Sequence, residues 1–275
     1  MTFAQLQSRV KQIIRDYTNR RWGEDIVKTY INQGYREFQE LSKCLRKHYN
    51  QTITVDTTLY DVPDDMLQLF RCEWNGVELG FAKTAQMDKF KGSEWRENTG
   101  TTLTIVVMDA EGFEQLRVYP KLDDQDYIGH MVEGTDGNDY YCTAEHTASS
   151  SNKPITGADY SSYWADAGST GSGETWVSGS SYKKWHYLVM DYAYVPTDMS
   201  SDSDTPDIPS RFHEALAEYA IYMLQDEEVH SRKNPLMGNR HYNKFLKDVF
   251  RARAQINRGV YANRRDHIYP PQWVR

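Results

Sequence analysis

Residues 24–45 run Glu24-Asp25-Ile26-Val27-Lys28-Thr29-Tyr30-Ile31-Asn32-Gln33-Gly34-Tyr35-Arg36-Glu37-Phe38-Gln39-Glu40-Leu41-Ser42-Lys43-Cys44-Leu45. The apolar positions Ile26, Val27, Tyr30, Ile31, Gly34, Tyr35, Phe38, Leu41 and Leu45 recur at three- and four-residue steps, which predicts an amphipathic helix. Glu24 and Asp25 open it, and Lys43, Arg46 and Lys47 close it, the polarity a helix dipole favours. Upstream, Phe3, Leu6, Val10, Ile13, Ile14 and Tyr17 repeat the same spacing, and Thr2 with Gln5 forms a candidate capping box. The connection is short, so the two segments predict an αα-hairpin.

Beyond this pair the period changes. Gln51–Val55 alternates, and Leu59–Asp65 reads as an extended segment ending in a turn. Arg71–Trp74 and Val77–Leu79 flank Asn75-Gly76, a dipeptide that favours a two-residue hairpin turn. Leu103–Met108 and Glu114–Tyr119 predict strands around a turn at 109–112, and Tyr127–Val132 predicts another. Trp185–Val195 is apolar on both faces, as a central strand should be. Residues 197–207 read as a polar loop or linker. Two helices follow, one from Pro209-Ser210 through Leu216, Tyr219, Ala220, Met223 and Leu224, and one from Asn234-Pro235 through Tyr242, Phe245, Leu246, Val249, Phe250 and Ile256. Beyond Asn257 the periodicity fails.

Residues 134–184 differ in composition from both flanks. They hold seven Gly and ten Ser but no Leu, Phe, Met or Arg, and their seven aromatics include Tyr141, Tyr163, Trp164 and Trp176. The expectation is a hairpin between 127–132 and 185–195, opened and filled by a compact β-module. So small a module has little room for a core, so Trp and Tyr must supply it. The alternative use of Tyr141, Tyr163, Trp164 and Trp176 is stacking on the flat face of a sugar. The chain as a whole predicts an α+β fold: a helical bundle built from N- and C-terminal helices, a central antiparallel β region, a small inserted β domain and an extended C-terminal arm. The domain expectation is a core at 1–133 and 185–256, the insert at 134–184 and the arm at 257–275.

Charge is unevenly placed. The net charge is −7, yet residues 230–275 hold eleven Lys/Arg against Asp248 and Asp266, a balance of +9, so the remainder carries −16. This basic segment suits an acidic partner, either protein or nucleic acid. Arg251, Arg253, Arg258, Arg264 and Arg265 could meet DNA phosphates, or dock on an acidic protein groove with Tyr261, Tyr269 and Trp273 as anchors. The three cysteines, Cys44, Cys72 and Cys142, are widely spaced and read as free thiols of a reducing compartment. No cleaved signal and no membrane span are expected.

Chemistry is thinly signalled. His213-Glu214 lacks a second histidine one helical turn on and reads as a surface or cap residue. No catalytic residue, metal set or cofactor fingerprint is expected. The acids Asp64-Asp65, Asp123-Asp124 with Asp126, and Asp202 with Asp204 are better turn formers than a hydrolytic pair.

The order of several short motifs carries a resemblance. Trp22-Gly23-Glu24-Asp25-Ile26 leads to Tyr30-Ile31-Asn32-Gln33-Gly34, then Leu59-Tyr60-Asp61-Val62-Pro63-Asp64-Asp65-Met66. Asn75-Gly76-Val77-Glu78-Leu79, Leu116-Arg117-Val118-Tyr119-Pro120 and Pro209-Ser210-Arg211-Phe212-His213-Glu214-Ala215-Leu216-Ala217-Glu218-Tyr219-Ala220 complete the series. Over 1–132 and 185–256 this resembles the head-to-tail adaptor (connector) proteins of tailed bacteriophages. The resemblance implies a non-enzymatic virion protein of the neck, assembled in the host cytoplasm as a ring, usually of twelve subunits. It implies the portal and tail or nozzle proteins as partners, and DNA passing through the channel without sequence-specific binding. It also implies a portal-binding arm, here Arg258, Tyr261, Arg264, Arg265, Tyr269 and Trp273. The insert departs from that pattern and looks similar to small carbohydrate-binding β-modules, which leaves a tail or neck component binding host-surface glycan as the alternative.

Overall fold

The computed structural model describes residues 1–109, 114–171, 173–226 and 235–264. These residues fall into two compact units, one made of Met1–Lys47, Asp65–Gln68 and the chain from Ala193 onward, the other of His48–Asp64 and Leu69–Tyr192. The fold is α+β, as the sequence predicts.

The first unit is helical. Helix α1 (Phe3–Ile14) begins with the Thr2/Gln5 capping box and ends at Arg15 in the left-handed conformation. Helix α2 (Glu24–Ser42) ends the same way at Lys43. Between them the Asp16 carboxylate accepts the backbone N–H groups of Arg20, Arg21 and Trp22, which holds the connecting turn. Phe3, Leu6, Val10, Val27, Ile31, Tyr35 and Phe38 are buried against helix α5 (His213–Asp226) and helix α6 (Pro235–Arg264). Gly34 lets α2 approach α5 closely, since a Cβ there would lie 2.9 Å from the Tyr219 ring. Ile26, by contrast, is 40% exposed, so the α2 stripe is narrower than its sequence suggests.

The Ser/Asp linker is tied down. Phe3 N–H donates to Asp204 O at 2.7 Å and Ala4 N–H to Asp202 O at 3.1 Å, so the linker supplies acceptors to the start of α1. Buried Asn32 donates to Met199 O at 2.9 Å and accepts from Met199 N–H at 3.0 Å.

The second unit is β-rich. A four-stranded sheet runs β1 (Arg46–Thr52), β13 (Tyr187–Tyr194), β3 (Met66–Trp74), β4 (Val77–Glu78), so the apolar 187–194 segment is a central strand as expected. Asn75 and Gly76 both take positive φ, which closes the β3–β4 hairpin. A second sheet orders β2 (Leu59–Asp61), β7 (Gln115–Tyr119), β6 (Ile105–Val107) and β5 (Gly80–Ala82), with β5 parallel to β6. Helix α3 (Thr84–Lys91) follows β5, and Met87 with Trp95 packs on Val107.

The insert flanks differ from expectation. Tyr127–Val132 is not one strand: Gln125–Ile128 forms a single helical turn, α4, and strand β8 (Met131–Glu133) starts after it. Nor do 127–132 and 185–195 form a hairpin. β8 pairs with β9 (Asp139–Cys142), which pairs with β11 (Trp164–Gly168), while β10 (His146–Thr147) pairs with β12 (Ser181–Tyr182). Burial explains this, because β13 has apolar residues on both faces and takes β1 and β3 as neighbours. The two flanks still meet: His186 N–H donates to Ile128 O at 2.9 Å and His130 N–H to Lys183 O at 3.1 Å.

Candidate interaction surfaces

Helix α6 carries the basic segment. Its inner face buries His241, Phe245, Val249 and Ala252. On α5, Glu218 is 7% exposed and accepts hydrogen bonds from His241 and from Lys244 Nζ, the latter at 2.9 Å. Burial pushes the Glu218 carboxyl up, but the two donors outweigh it and hold it below the usual carboxylate range. Arg240, Lys244, Lys247 and Arg251 lie exposed on the outside of the helix.

The expected arm divides. The helix continues past Asn257 to Arg264, so Arg258, Tyr261 and Arg264 stand on helical backbone and not on an extended segment. Helical dihedrals persist there although the apolar period has ended. Arg265, Tyr269 and Trp273 lie outside the described residues.

In the insert the candidate aromatics gather into a cluster. Val132, Tyr140, Cys142, Ala148, Trp164 and Tyr182 are its buried members, and Tyr163 and Trp176 pack against it. Trp164 is 2% exposed and donates its indole N–H to Asn152 O at 2.7 Å. A ring that stacks on a sugar must keep one face in water, and Trp164 has none to offer. Its partners are His146 and Tyr182, both edge-on, at 5.0 and 5.1 Å. Tyr163 sits 4.6 Å from the His146 ring, Lys153 Nζ lies 5.5 Å over Trp176, and Tyr141 meets Tyr187 edge-on at 5.7 Å. Tyr141, Tyr163 and Trp176 are half-buried. The insert thus brings Tyr163, Trp164 and Trp176 to one cluster and places Tyr141 against Tyr187.

Two polar residues of this segment, Asp139 and Asn152, hold loop backbone that its aromatic pattern does not account for. Asp139, 2% exposed, accepts from Thr170 N–H at 2.9 Å and Gly173 N–H at 3.2 Å, and also from the Thr170 hydroxyl. Asn152 accepts from Ser149 N–H at 2.8 Å and donates to Thr147 O at 3.0 Å. Polar residues in an otherwise turn-rich, aromatic stretch were the available signal, because buried loop backbone needs partners.

His213 and three of the candidate acids have partners within the fold. His213 is buried, not a surface residue: its Nδ1 lies 2.6 Å from the Met1 amine and its Nε2 2.8 Å from Ile208 O. Burial lowers its pKa, so it is neutral, with Nδ1 accepting and Nε2–H donating. Asp65 pairs with Lys47, Asp202 with Gln7 and Lys28, and Asp204 accepts from Ser200 and Ser201 N–H. The cysteines are free thiols, and burial pushes Cys142 up to about 11 and Cys72 up to about 12, so both stay protonated at neutral pH. Among the described residues no helix is long and apolar enough to cross a membrane.

A family model described as SU10 adaptor protein matches residues 1–270. No curated protein matches the chain.

Proposed function

The chain belongs to the SU10 adaptor protein family, and from that premise we propose that it forms a ring between the portal and the tail, extending the DNA channel. Membership makes it a structural phage adaptor and a component of the virion, and it implies contact with portal and tail proteins. The observation that carries the ring reading is the extent of the match, which takes in both compact units.

Within that role, the basic C-terminal residues Arg258, Tyr261, Arg264, Arg265, Tyr269 and Trp273 dock on the portal. Mixing the chain with purified portal and imaging the product by electron microscopy tests this. Twelve-fold rings capping the portal are expected, and a truncation after Ile256 should lose the cap. Portal that stays bare with the full chain would refute the reading.

Residues 134–184 act as a separable module on the 1–133 and 185–256 core. An aromatic cluster drawn from this segment, joined only by Val132 from the flank, and its adjoining ends support this division. Replacing 134–184 by a short glycine-containing bridge should leave a ring that still caps the portal. A second reading, glycan contact through the insert, is favoured by the half-exposed rings of Tyr141, Tyr163 and Trp176. A glycan array probed with the whole chain decides it.

A further inference from the structure

Helix α6 presents a cationic line that neither the helical core nor the arm explains. Arg240, Lys244, Lys247 and Arg251 are all exposed. At 100° per residue the four positions lie within about 60° of one another on the helix, spread over about 16 Å of its length. They are separated by three or four residues, so adjacent charges stand about 4.5–6 Å apart along the axis. Like charges so spaced repel one another when nothing sits opposite them.

Neutralisation within the chain is partial. Lys244 is fixed by Glu218 at 2.9 Å, and Arg251 reaches Asp248 at 3.0 Å across exposed surface, where such pairs contribute little. Arg240 and Lys247 have no ion-pair partner among the described residues. The neighbouring exposed residue Asn243, about 40° from Lys247 round the helix, adds an amide donor beside the line.

We propose that this face of α6 binds the phosphate backbone of double-stranded DNA without reading its sequence. The face is built of N–H donors at regular spacing, as a polyanion requires. About 16 Å of duplex presents roughly nine phosphates, so every cation finds one in any register. Protein docking surfaces instead centre on a desolvated apolar or aromatic anchor. The exposed ring of this stretch, Phe250 at 59%, stands about 60–120° round the helix from the four cations. The site is carried by the helix itself, and it stands whether or not the ring reading holds.

The test uses the full chain, a fluorescent 30-base-pair duplex and anisotropy across a salt series. With Lys244 held by Glu218, three phosphate contacts, from Arg240, Lys247 and Arg251, predict a slope of log K against log salt of about −2.7, and the double variant R240Q/K247Q should bring it to about −0.9. Both side chains are exposed and have no ion-pair partner among the described residues, and circular dichroism checks that the fold is kept. K89Q, on a different helix, should leave the slope unchanged. No binding at about 20 mM salt, or an unaltered slope in the double variant, overturns the proposal. So does a double variant that keeps its DNA slope but loses portal capture together with F250S, which would assign the face to a protein partner.

Discussion

Replacing Gly129 by alanine should destabilise the second unit far more than replacing Gly76, although both take positive φ. Gly129 has φ +100° and sits where the chain's two passages meet, donating its N–H to Gln125 O at 2.9 Å. A Cβ there would lie 2.3 Å from Lys184 O and 2.4 Å from Trp185 Cα. Those are backbone atoms and cannot rotate away. Gly76 has φ +74° and nothing within 4 Å of the same added atom. The alanine at Gly76 thus costs about 1–2 kcal/mol of left-handed strain. At Gly129 the same strain is joined by overpacking, about 1–3 kcal/mol more. The difference of about 2 kcal/mol corresponds to about 4–8 °C in Tm for a chain of this size. Paired thermal melts by calorimetry measure it. Equal Tm losses in the two variants would refute the crowding argument and mean that the 128–130 and 183–186 passages separate at little cost.

Further expectations concern single polar groups and the insert. Asn32→Ala removes both partners of the Met199 backbone and should cost about 2–3 kcal/mol, with faster hydrogen exchange at Met199 N–H as the local readout. Glu218→Gln should cost about 2 kcal/mol near pH 7. Because the folded Glu218 pKa is lowered, its contribution is present above the unfolded value of about 4.3 and fades as pH falls through the folded one. The gap between variant and parent should therefore narrow in acid, and a constant gap from pH 7 to pH 3 would contradict it. Trp164→Ala should cost about 3–5 kcal/mol and open the insert to protease between 145 and 180 while α5 stays protected.

Much of the architecture was legible because helices and hairpins write their geometry locally. The Thr2/Gln5 box, the α2 stripe and the Asn75-Gly76 turn all depend on neighbours a few residues away, and all appear in the structure. What depended on distant partners was not legible. Tyr127–Val132 has strand composition, yet its first half closes a helical turn and its second half pairs with β9. The linker looked unattached because the residues that hold it, Asn32 and the α1 N-terminus, lie far away in sequence. For the candidate surfaces, composition marked the insert and the basic segment. It could not say that Trp164 faces inward or that helical backbone persists through Arg258 to Arg264.

The meeting of residues 128–130 with 183–186 has a genetic consequence. Two backbone hydrogen bonds, His186 to Ile128 and His130 to Lys183, fix how far apart the flanks stand. If 134–184 is the separable module proposed above, its length should vary without moving β13 out of its place in the sheet. On that reading, related chains should diverge in length and content within 134–184 while keeping a glycine at the position of Gly129, where an added Cβ would meet Lys184 O and Trp185 Cα.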